Sequence, residues 1–308
     1  MDEAQFPRSP DGCACPSHAA LLYSRSMTAI LVTSKEPRAG RSLIAAAIAY
    51  RAAREGKRVA LARLEGDASA EHDAAAFASL ESLASVGEPI AASDAGRLVK
   101  DADVVVLEAP AGAAPAVKDA QVVEVARFPG TGAFVTQVPA AGGGNAHERD
   151  GVGTALAEDR TLAAPAVDDI AAALSGRWLV APEAHGAIDR VMIGTVASDA
   201  ASPYFGNRER KCVITRFDKT DIQLAALLTD LELLVLTGGG QPSPYLIDRV
   251  ESAREDIGVL LVDVDSVDAM HTLEPLYGAS RFDGMGKLMR AVAMLDEQQA
   301  PLEFASGG

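Results

Sequence analysis

The amino-acid sequence predicts an α/β protein in which a parallel-sheet domain is followed by a second, smaller α/β domain. In the first part, Thr28–Thr33, Ser42–Arg54 and Arg58–Ala62 follow one another as an apolar strand, an alanine-rich helix and a second strand. This order is typical of a right-handed parallel crossover. Asp103–Leu107 (DVVVL) is apolar almost throughout, as expected for a strand buried on both faces. The second part repeats the alternation of strands and helices.

The alternation in the second half is the clearest pattern in the chain. It predicts strands at Val191–Val196, Cys212–Thr215, Leu233–Leu236 and Val259–Val262. It predicts helices at Ile222–Leu228, Tyr245–Arg254, Val267–Leu273 and Gly286–Leu295. Cys212 lies inside one of these apolar strands and is expected to be an inert core thiol.

The middle of the chain gives weaker signals. Two short strands are predicted at Gln121–Ala126 and Gly132–Val138, separated by only a few residues. The glycine-rich run 140–151 indicates a surface loop or linker, and a helix at Ala166–Leu174 and a segment at Trp178–Pro182 close the first half. We therefore expect a disordered extension at 1–26, a first domain at 27–186, a second domain at 187–298 and a tail at 299–308.

The bulk composition excludes some functions and favours an intracellular setting. A net charge of −15 over 308 residues opposes a general affinity for nucleic acid, so acidic ligands would need a local basic pocket. No apolar stretch approaches the roughly 18 residues of a membrane span. Acidity and a preference for Arg over Lys favour a halophilic source. Three cysteines make no disulfide framework, which favours a reducing cytoplasm.

The first 26 residues contain Cys13, Cys15 and His18, which fall short of a four-ligand zinc site. The segment also lacks the long apolar region of a signal peptide. We interpret it as a disordered or untranslated extension, with Met27 as a second possible start directly before the first strand.

The segment TSKEPRAGRS, between the first strand and the first helix, stands where a phosphate-binding loop would lie. In such loops backbone N–H groups cradle phosphate oxygens, a lysine reaches the terminal phosphates, and a Ser or Thr hydroxyl binds magnesium. Ser42 can supply the hydroxyl and Gly40 the close approach. Arg41 occupies the lysine position, and Ser34 replaces the first glycine.

This segment resembles the loop T-G-T-D-T-E-V-G-K-T of the dethiobiotin synthetase-like P-loop proteins, in length and at Thr33, Gly40 and Ser42. The resemblance implies ATP and Mg²⁺ as cofactors. It also implies that Arg63 stands for a lysine of the second strand, and that Glu108 in DVVVLEAPAG stands for an acidic residue that binds magnesium through water. The implied phosphate-binding residues are Ser34, Gly40, Arg41, Ser42 and Arg63, and the implied metal-binding residues are Ser42 and Glu108.

Structural explanations compete with this one. Ser34 could cap the turn, Arg41 could be a solvated residue of the first helical turn, and Glu108 could be a satisfied carboxylate at a strand end. Related domains also have a helix between the two short middle strands, which here are almost adjacent. The acidic residues after the second strand could face the loop or form a solvated face. They are Glu65, Asp67, Glu71 and Asp73.

Three loops of the second domain follow successive parallel strands and should emerge at the same edge of the sheet, where open α/β sheets bind ligands. They are Phe217–Asp221, Thr237–Gly240 and Asp263–Ser266. We expect freely accessible glycine N–H groups in the second loop to form an anion nest, with Lys219 neutralising the anion. Asp218, Asp221 and Asp265 could hold ribose hydroxyls or a metal, or cap helices.

The runs ITRFDKTDIQLAAL and LVLTGG resemble the DRTGG domain, from about Asp189 to Leu295. Lys219 replaces the arginine of that motif and Phe217 replaces its glycine. The resemblance places the ligand site at Asp218, Lys219, Thr220, Asp221, Thr237, Gly238 and Gly239, and the loop positions add Asp265.

A dethiobiotin synthetase-like domain followed by DRTGG resembles the regulatory N-terminal region of long phosphate acetyltransferases. The chain ends at Gly308, so we do not expect the acetyltransferase domain or its activity. The first hypothesis is therefore a regulatory protein that binds a nucleotide or phosphorylated metabolite, with an enzyme of acyl-phosphate metabolism as its partner and a homo-oligomer as one option. The alternatives are an ATP-dependent ligase or synthase, and an interaction subunit without a small-molecule ligand.

Overall fold

A computed structural model describes residues 28–98, 102–112, 120–139, 153–183, 186–195, 198–252 and 256–298. The extension 1–26, the glycine-rich run 140–151 and the tail 299–308 lie outside these residues. The described residues form two β-sheets, one of seven strands and one of five, with helices packed on them. The predicted α/β class is confirmed. No helix in this part of the chain is both long enough and apolar enough to cross a membrane.

The first sheet is parallel throughout, in the order β3-β2-β4-β1-β5-β6-β7. Its strands are β1 Thr28–Thr33, β2 Val59–Arg63, β3 Ala84–Ser85, β4 Val104–Glu108, β5 Ala120–Arg127, β6 Phe134–Val138 and β7 Thr154–Ala157. Strand β4 is buried along its whole length, as its apolar sequence predicted. Val32 pairs with Glu108, so the ends of β1 and β4 bring Thr33 and Glu108 to the same edge.

The helices that follow in this part of the chain are α1 Arg41–Arg54, α2 Ala70–Ala78, α3 Ala95–Leu98, α4 Arg160–Ala163 and α5 Val167–Ala173. Helix α1 packs closely on the sheet because its buried face consists mainly of alanines, with Ile44 and Ile48 as the larger side chains. Gly56, with φ of 79°, follows its last turn. Strands β3 and β7 and helices α2, α3 and α4 had not been predicted.

The second sheet has the order β8-β12-β11-β10-β9, and β8 is antiparallel to β12. Its strands are β8 Arg177–Val180, β9 Arg190–Ile193, β10 Lys211–Arg216, β11 Leu231–Thr237 and β12 Gly258–Leu261. The remaining helices are α6 Ser198–Gly206, α7 Thr220–Ala226, α8 Pro244–Glu251, α9 Ser266–Leu273 and α10 Met285–Glu297, with short 3₁₀ turns at Ala92–Asp94 and Glu274–Leu276. Cys212 is buried in β10, and burial raises the pKa of its thiol.

Two elements lie on the other side of the predicted domain boundary at 186/187. Strand β8, expected in the first domain, pairs with β12 in the second sheet. Helix α10, expected in the second domain, places Leu288, Val292 and Leu295 in the same apolar core as α1. An ion pair of 3.1 Å between Arg54 Nη1 and Asp296 Oδ2 adds to this contact.

Candidate functional site

The loop Ser34–Ser42 leaves β1 and leads into α1, and it is packed against β6. Gly40 has φ of 85°, and a Cβ there would meet the methyl carbon of Thr136 at 3.2 Å. The hydroxyl of Thr136 donates to the carbonyl of Ala39 at 2.9 Å. Ser34 Oγ donates to the carbonyl of Glu36 at 2.6 Å, so Ser34 holds the turn as one of the structural alternatives expected.

Arg41 is directed inward. Only 6% of its side chain is exposed, its Nη2 lies 3.5 Å from Asp67 Oδ2, and its Nε lies 3.5 Å from Glu108 Oε1. The expectation of a solvated Arg41 is therefore wrong, because the guanidinium is enclosed between Asp67, in the loop after β2, and Glu108, at the end of β4. Ser42 Oγ donates to the same Oε1 of Glu108 at 3.0 Å, so the structure brings three predicted site residues together.

Arg63 is fully buried and organises the carboxylates around it. Its Nη2 donates to Asp67 Oδ1 at 2.6 Å, and its Nε donates to Asp73 Oδ2 at 3.3 Å. Its Nε also lies 3.6 Å from Glu108 Oε2. Asp67 and Asp73 are thus partners of arginines and not part of a solvated acidic face. The four-residue spacing of Arg63 and Asp67 was the signal available in the sequence.

Two carboxyl groups of this cluster, those of Glu108 and Asp67, have pKa values shifted in opposite directions. Burial, with the nearby Asp73 carboxylate, raises the pKa of Glu108 to about 8 against the opposing effect of Arg63 and Arg41. Burial alone would also raise the pKa of Asp67. Hydrogen bonds from the Ala111 N–H at 3.1 Å and from Ser69, and the charge of Arg63, outweigh it and lower that pKa to about 2.

Ser42 and Glu108, the predicted metal ligands, are in contact, and whether they bind magnesium stays a prediction. Where placement is described, no group of three or more His, Cys, Asp or Glu side chains is arranged to hold a metal ion. Oε2 of Glu108 and Nη1 of Arg41 are buried without a hydrogen-bond partner among the described residues.

The three loops of the second domain lie at one edge of the second sheet, after β10, β11 and β12. The glycine loop is not the open nest that was predicted. Gly238 N–H donates to the carbonyl of Val264 and Gly239 N–H donates to the carbonyl of Val262, each at 3.0 Å. These bonds arise because the loop turns back along the residues that follow β12. The hydroxyl of Thr237 lies 2.8 Å from that of Ser266, inside the protein.

The charged residues at this edge differ in how they are bound. Arg216 Nε and Nη2 donate to the two carboxylate oxygens of Asp218 at 3.1 Å each, and these bonds lower the pKa of Asp218. Asp265 caps α9 by accepting from the N–H groups of Val267 and Asp268 at 2.8 and 2.9 Å. The ammonium of Lys219 is exposed and makes no hydrogen bond or ion pair with any residue of the described ranges.

Thr220 and Asp221 form the first turn of α7 beside Lys219. Phe217, which replaces the glycine of the motif, lies against the glycine loop. A Cβ on Gly240 would be 2.2 Å from Cζ of the Phe217 ring, so only glycine fits beneath it. Phe217 N–H also donates to the carbonyl of Thr237 at 3.0 Å, which ties the first two loops together.

One solved structure is similar to part of this chain, with a TM-score of 0.34 and 20% sequence identity. It is the crystal structure of the CBS and DRTGG domains of the regulatory region of Clostridium perfringens pyrophosphatase, complexed with the activator diadenosine tetraphosphate. The match covers 40% of this chain and 50% of that chain. The chain thus spans half the length of that structure, and so slight a likeness transfers no ligand.

The second domain also matches a family by sequence. Residues 169–276 match the DRTGG domain, from within α5 to the 3₁₀ turn after α9. The match begins and ends earlier than the resemblance predicted, because α5 and β8 belong to it and α10 does not. The chain therefore contains a DRTGG domain.

Proposed function

We propose that the protein is a non-catalytic regulatory protein whose DRTGG domain binds a nucleotide or another phosphorylated metabolite. The observation that carries the non-catalytic part is the position of the Arg41 side chain. A phosphate-loop lysine must extend toward the terminal phosphates. Arg41 instead lies buried, paired with the carboxylate of Asp67 and beside the carboxyl group of Glu108 in the same domain. The loop is thereby suited to holding the domain together.

The proposal fits the resemblance of the first domain to dethiobiotin synthetase-like P-loop proteins and of the whole chain to the regulatory region of phosphate acetyltransferases. In this interpretation the first domain keeps the sheet and loop of an ancestral nucleotide site as a scaffold. The partner would be a separate enzyme of acyl-phosphate metabolism, whose activity responds to the ligand state of this chain.

The ligand site is proposed at the edge formed by the loops after β10 and β11. Lys219 supplies an exposed ammonium for a phosphate group. Asp221, exposed two residues further on in the first turn of α7, supplies a carboxylate for a ribose hydroxyl. Asp218 and Asp265 serve Arg216 and the start of α9, so they shape the loops around the ligand.

Calorimetric titration of the full chain with ATP and with diadenosine tetraphosphate, each with Mg²⁺, tests this proposal. We expect binding without hydrolysis. Lys219→Ala should weaken it about tenfold, the typical effect of losing one charge-assisted contact. Lys35→Ala is the matched control, because Lys35 is an exposed lysine of the first loop, and it should stay within about twofold of wild type.

A second function, an ATP-dependent ligase or synthase, is favoured by one observation, the 3.0 Å contact between Ser42 and Glu108. A hydroxyl beside a carboxylate at this place is what a bound magnesium would need. ATP hydrolysis that Arg41→Ala abolishes, with the exposed-arginine control Arg97→Ala active, would favour this function and contradict the regulatory proposal.

A further inference from the structure

A groove of about 510 Å³ lies where the layer of α4 and α10 meets the second sheet. Four arginines line it: Arg160 in α4, Arg290 in α10, Arg190 at the start of β9, and Arg208 in the loop before β10. They come from parts of the chain that are far apart in sequence. This groove is away from the loops after β10, β11 and β12, because Arg190 and Arg208 lie at the opposite, amino-terminal edge of the same sheet.

One of these arginines is neutralised within the protein. Arg290 Nε donates to Asp159 Oδ2 at 2.8 Å. The other oxygen of Asp159 accepts from the N–H groups of Thr161 and Leu162 at 3.0 and 3.1 Å. Arg290 therefore fixes α10 to the start of α4 and forms a rigid wall of the groove.

Arg160 is held in place without being neutralised. Its Nε donates to the backbone carbonyl of Asp189 at 2.7 Å, and its guanidinium carbon lies 4.9 Å from the centre of the Tyr277 ring. The Tyr277 hydroxyl in turn donates to the carbonyl of Ile188 at 2.9 Å. A carbonyl and a ring orient the guanidinium but leave its positive charge available.

Arg190 and Arg208 have no carboxylate partner among the residues that the structure describes. Arg208 donates from Nη1 only to the carbonyl of Asn207, at 2.9 Å. The Asp189 carboxylate also lines the groove: its Oδ1 lies 3.1 Å from Arg210 Nη2, and its Oδ2 accepts from the Thr161 hydroxyl at 3.4 Å.

Four arginines thus line the groove together with three carboxylates, Asp159, Asp189 and Glu209. Asp159 is paired with Arg290, and Asp189 with Arg210 from outside the lining, so the arginines remain in excess. A positive groove of this kind is unexpected in a chain of net charge −15.

We propose that this groove binds a small phosphorylated compound at a site separate from the DRTGG loops. The planar fork of arginine binds phosphate oxygens in pairs, and several arginines that converge on one groove favour more than one phosphate group. The volume lies within the roughly 300–1,000 Å³ typical of small-molecule sites. Because Arg160 and Arg290 belong to α4 and α10 while Arg190 and Arg208 belong to the DRTGG domain, the bound compound contacts both parts of the protein.

Titration of the full chain with pyrophosphate at low ionic strength tests the site. We expect wild type to bind pyrophosphate and the double variant Arg190→Ala/Arg208→Ala to bind it at least tenfold more weakly. The control Arg97→Ala/Arg249→Ala removes the same charge from exposed positions on α3 and α8 and should stay within twofold. Arg208→Glu is a second variant, since Arg208 is exposed in a loop and its replacement leaves the fold intact.

The outcome separates this site from the one at Lys219. Lys219→Ala should leave the effect of the groove variants unchanged. If Lys219→Ala alone abolishes pyrophosphate binding, the groove proposal is overturned and the proposed function stands. Equal weakening in both double variants would show general charge attraction and would also overturn it, as would wild type that binds no pyrophosphate or Arg208→Glu that binds as well as wild type.

Discussion

The loops at the carboxyl edges of the two sheets occupy equivalent places, but charged side chains are buried at the first edge and exposed at the second. At the first sheet, Arg41 and Arg63 are buried with Glu108, and the loop between β1 and α1 is fastened to the strands around it. At the second sheet, Lys219 and Asp221 remain exposed. The position of a loop at a sheet edge therefore does not decide its function. Under the proposed function, the buried charges make the first edge structural, and the exposed charges leave the second edge available to a ligand.

The largest expected change in unfolding free energy follows the loss of Arg63. It tests whether the buried charges of the first edge stabilise the fold. Arg63→Met leaves the carboxyl groups of Asp67, Asp73 and Glu108 without their central partner in the core. Removing one partner of a buried ion pair costs about 3–5 kcal/mol, and urea unfolding of the full chain measures it. Arg97→Ala, which removes an 83% exposed arginine, is the control and should be nearly neutral. Similar losses in both variants would contradict a structural role for the first edge.

The next largest effect is a pH dependence of the unfolding free energy, caused by the buried carboxyl group of Glu108. The pKa of Glu108 is raised to about 8 in the folded protein, so the unfolded chain releases that proton first. The stabilising contribution is complete below the unfolded pKa of about 4.5 and is lost as the pH rises toward 8. Glu108→Gln cannot titrate. Between pH 5 and pH 8 the unfolding free energy of wild type should fall by about a few kcal/mol more than that of this variant.

Unfolding curves collected at intervals across that range check the prediction. Parallel pH profiles for wild type and Glu108→Gln would mean that the charge of Glu108 is fully compensated by Arg41 and Arg63. In that case the buried charges of the first edge would neutralise one another at neutral pH. The two edges would then differ less in how their charged groups affect stability.

A smaller effect is expected from the helix cap at the second edge. Asp265→Ala removes the acceptor for two N–H groups at the start of α9. The expected loss of unfolding free energy is about 1 kcal/mol. Asp248→Ala, an exposed aspartate within α8, serves as the control and should cost less. An Asp265→Ala variant as stable as wild type would show that the cap does not stabilise α9, and Asp265 could then bind a ligand.

The smallest effect on stability is expected for Lys219→Ala. The Lys219 ammonium makes no contact that would be lost among the described residues, so the midpoint of thermal unfolding should stay at the wild-type value. A marked fall in that midpoint would mean that Lys219, like Arg41, serves the fold, and the difference between the two edges would disappear.

The fold was predictable wherever the apolar pattern was continuous. Strand β1 has the predicted limits, Thr28–Thr33, and the predicted strands and helices of the second half appear in order, with the unpredicted helix α6 between β9 and β10. Helix α2 was missed because Phe77 is the one large apolar side chain in Ala70–Ala78, and alanines and acidic residues make up most of the rest. Strand β7 was missed because four residues carry too little pattern.

The sequence predicted which loops form the two candidate sites, but not the contacts that their side chains and N–H groups make. The inward direction of Arg41 depends on Asp67, which lies 26 residues further along the chain. The bonds of Gly238 and Gly239 depend on how the chain continues after β12. The groove arginines share no motif and no spacing, so their convergence follows only from the packing of α4, α10 and β9. Such long-range contacts leave no local signal in a sequence.

The packing of α10 on α1 has a consequence for how the protein is made. A ribosome completes β1 and α1 early, yet the apolar side chains of α10 that share their core, among them Leu288 and Leu295, are synthesised only after the whole second sheet. During that interval the nascent first sheet exposes the surface that α10 will cover, and such transiently exposed apolar surface favours aggregation and chaperone binding. The first core would thus be completed only when α10 is synthesised. The DRTGG domain can therefore fold before the core of the preceding sheet is covered.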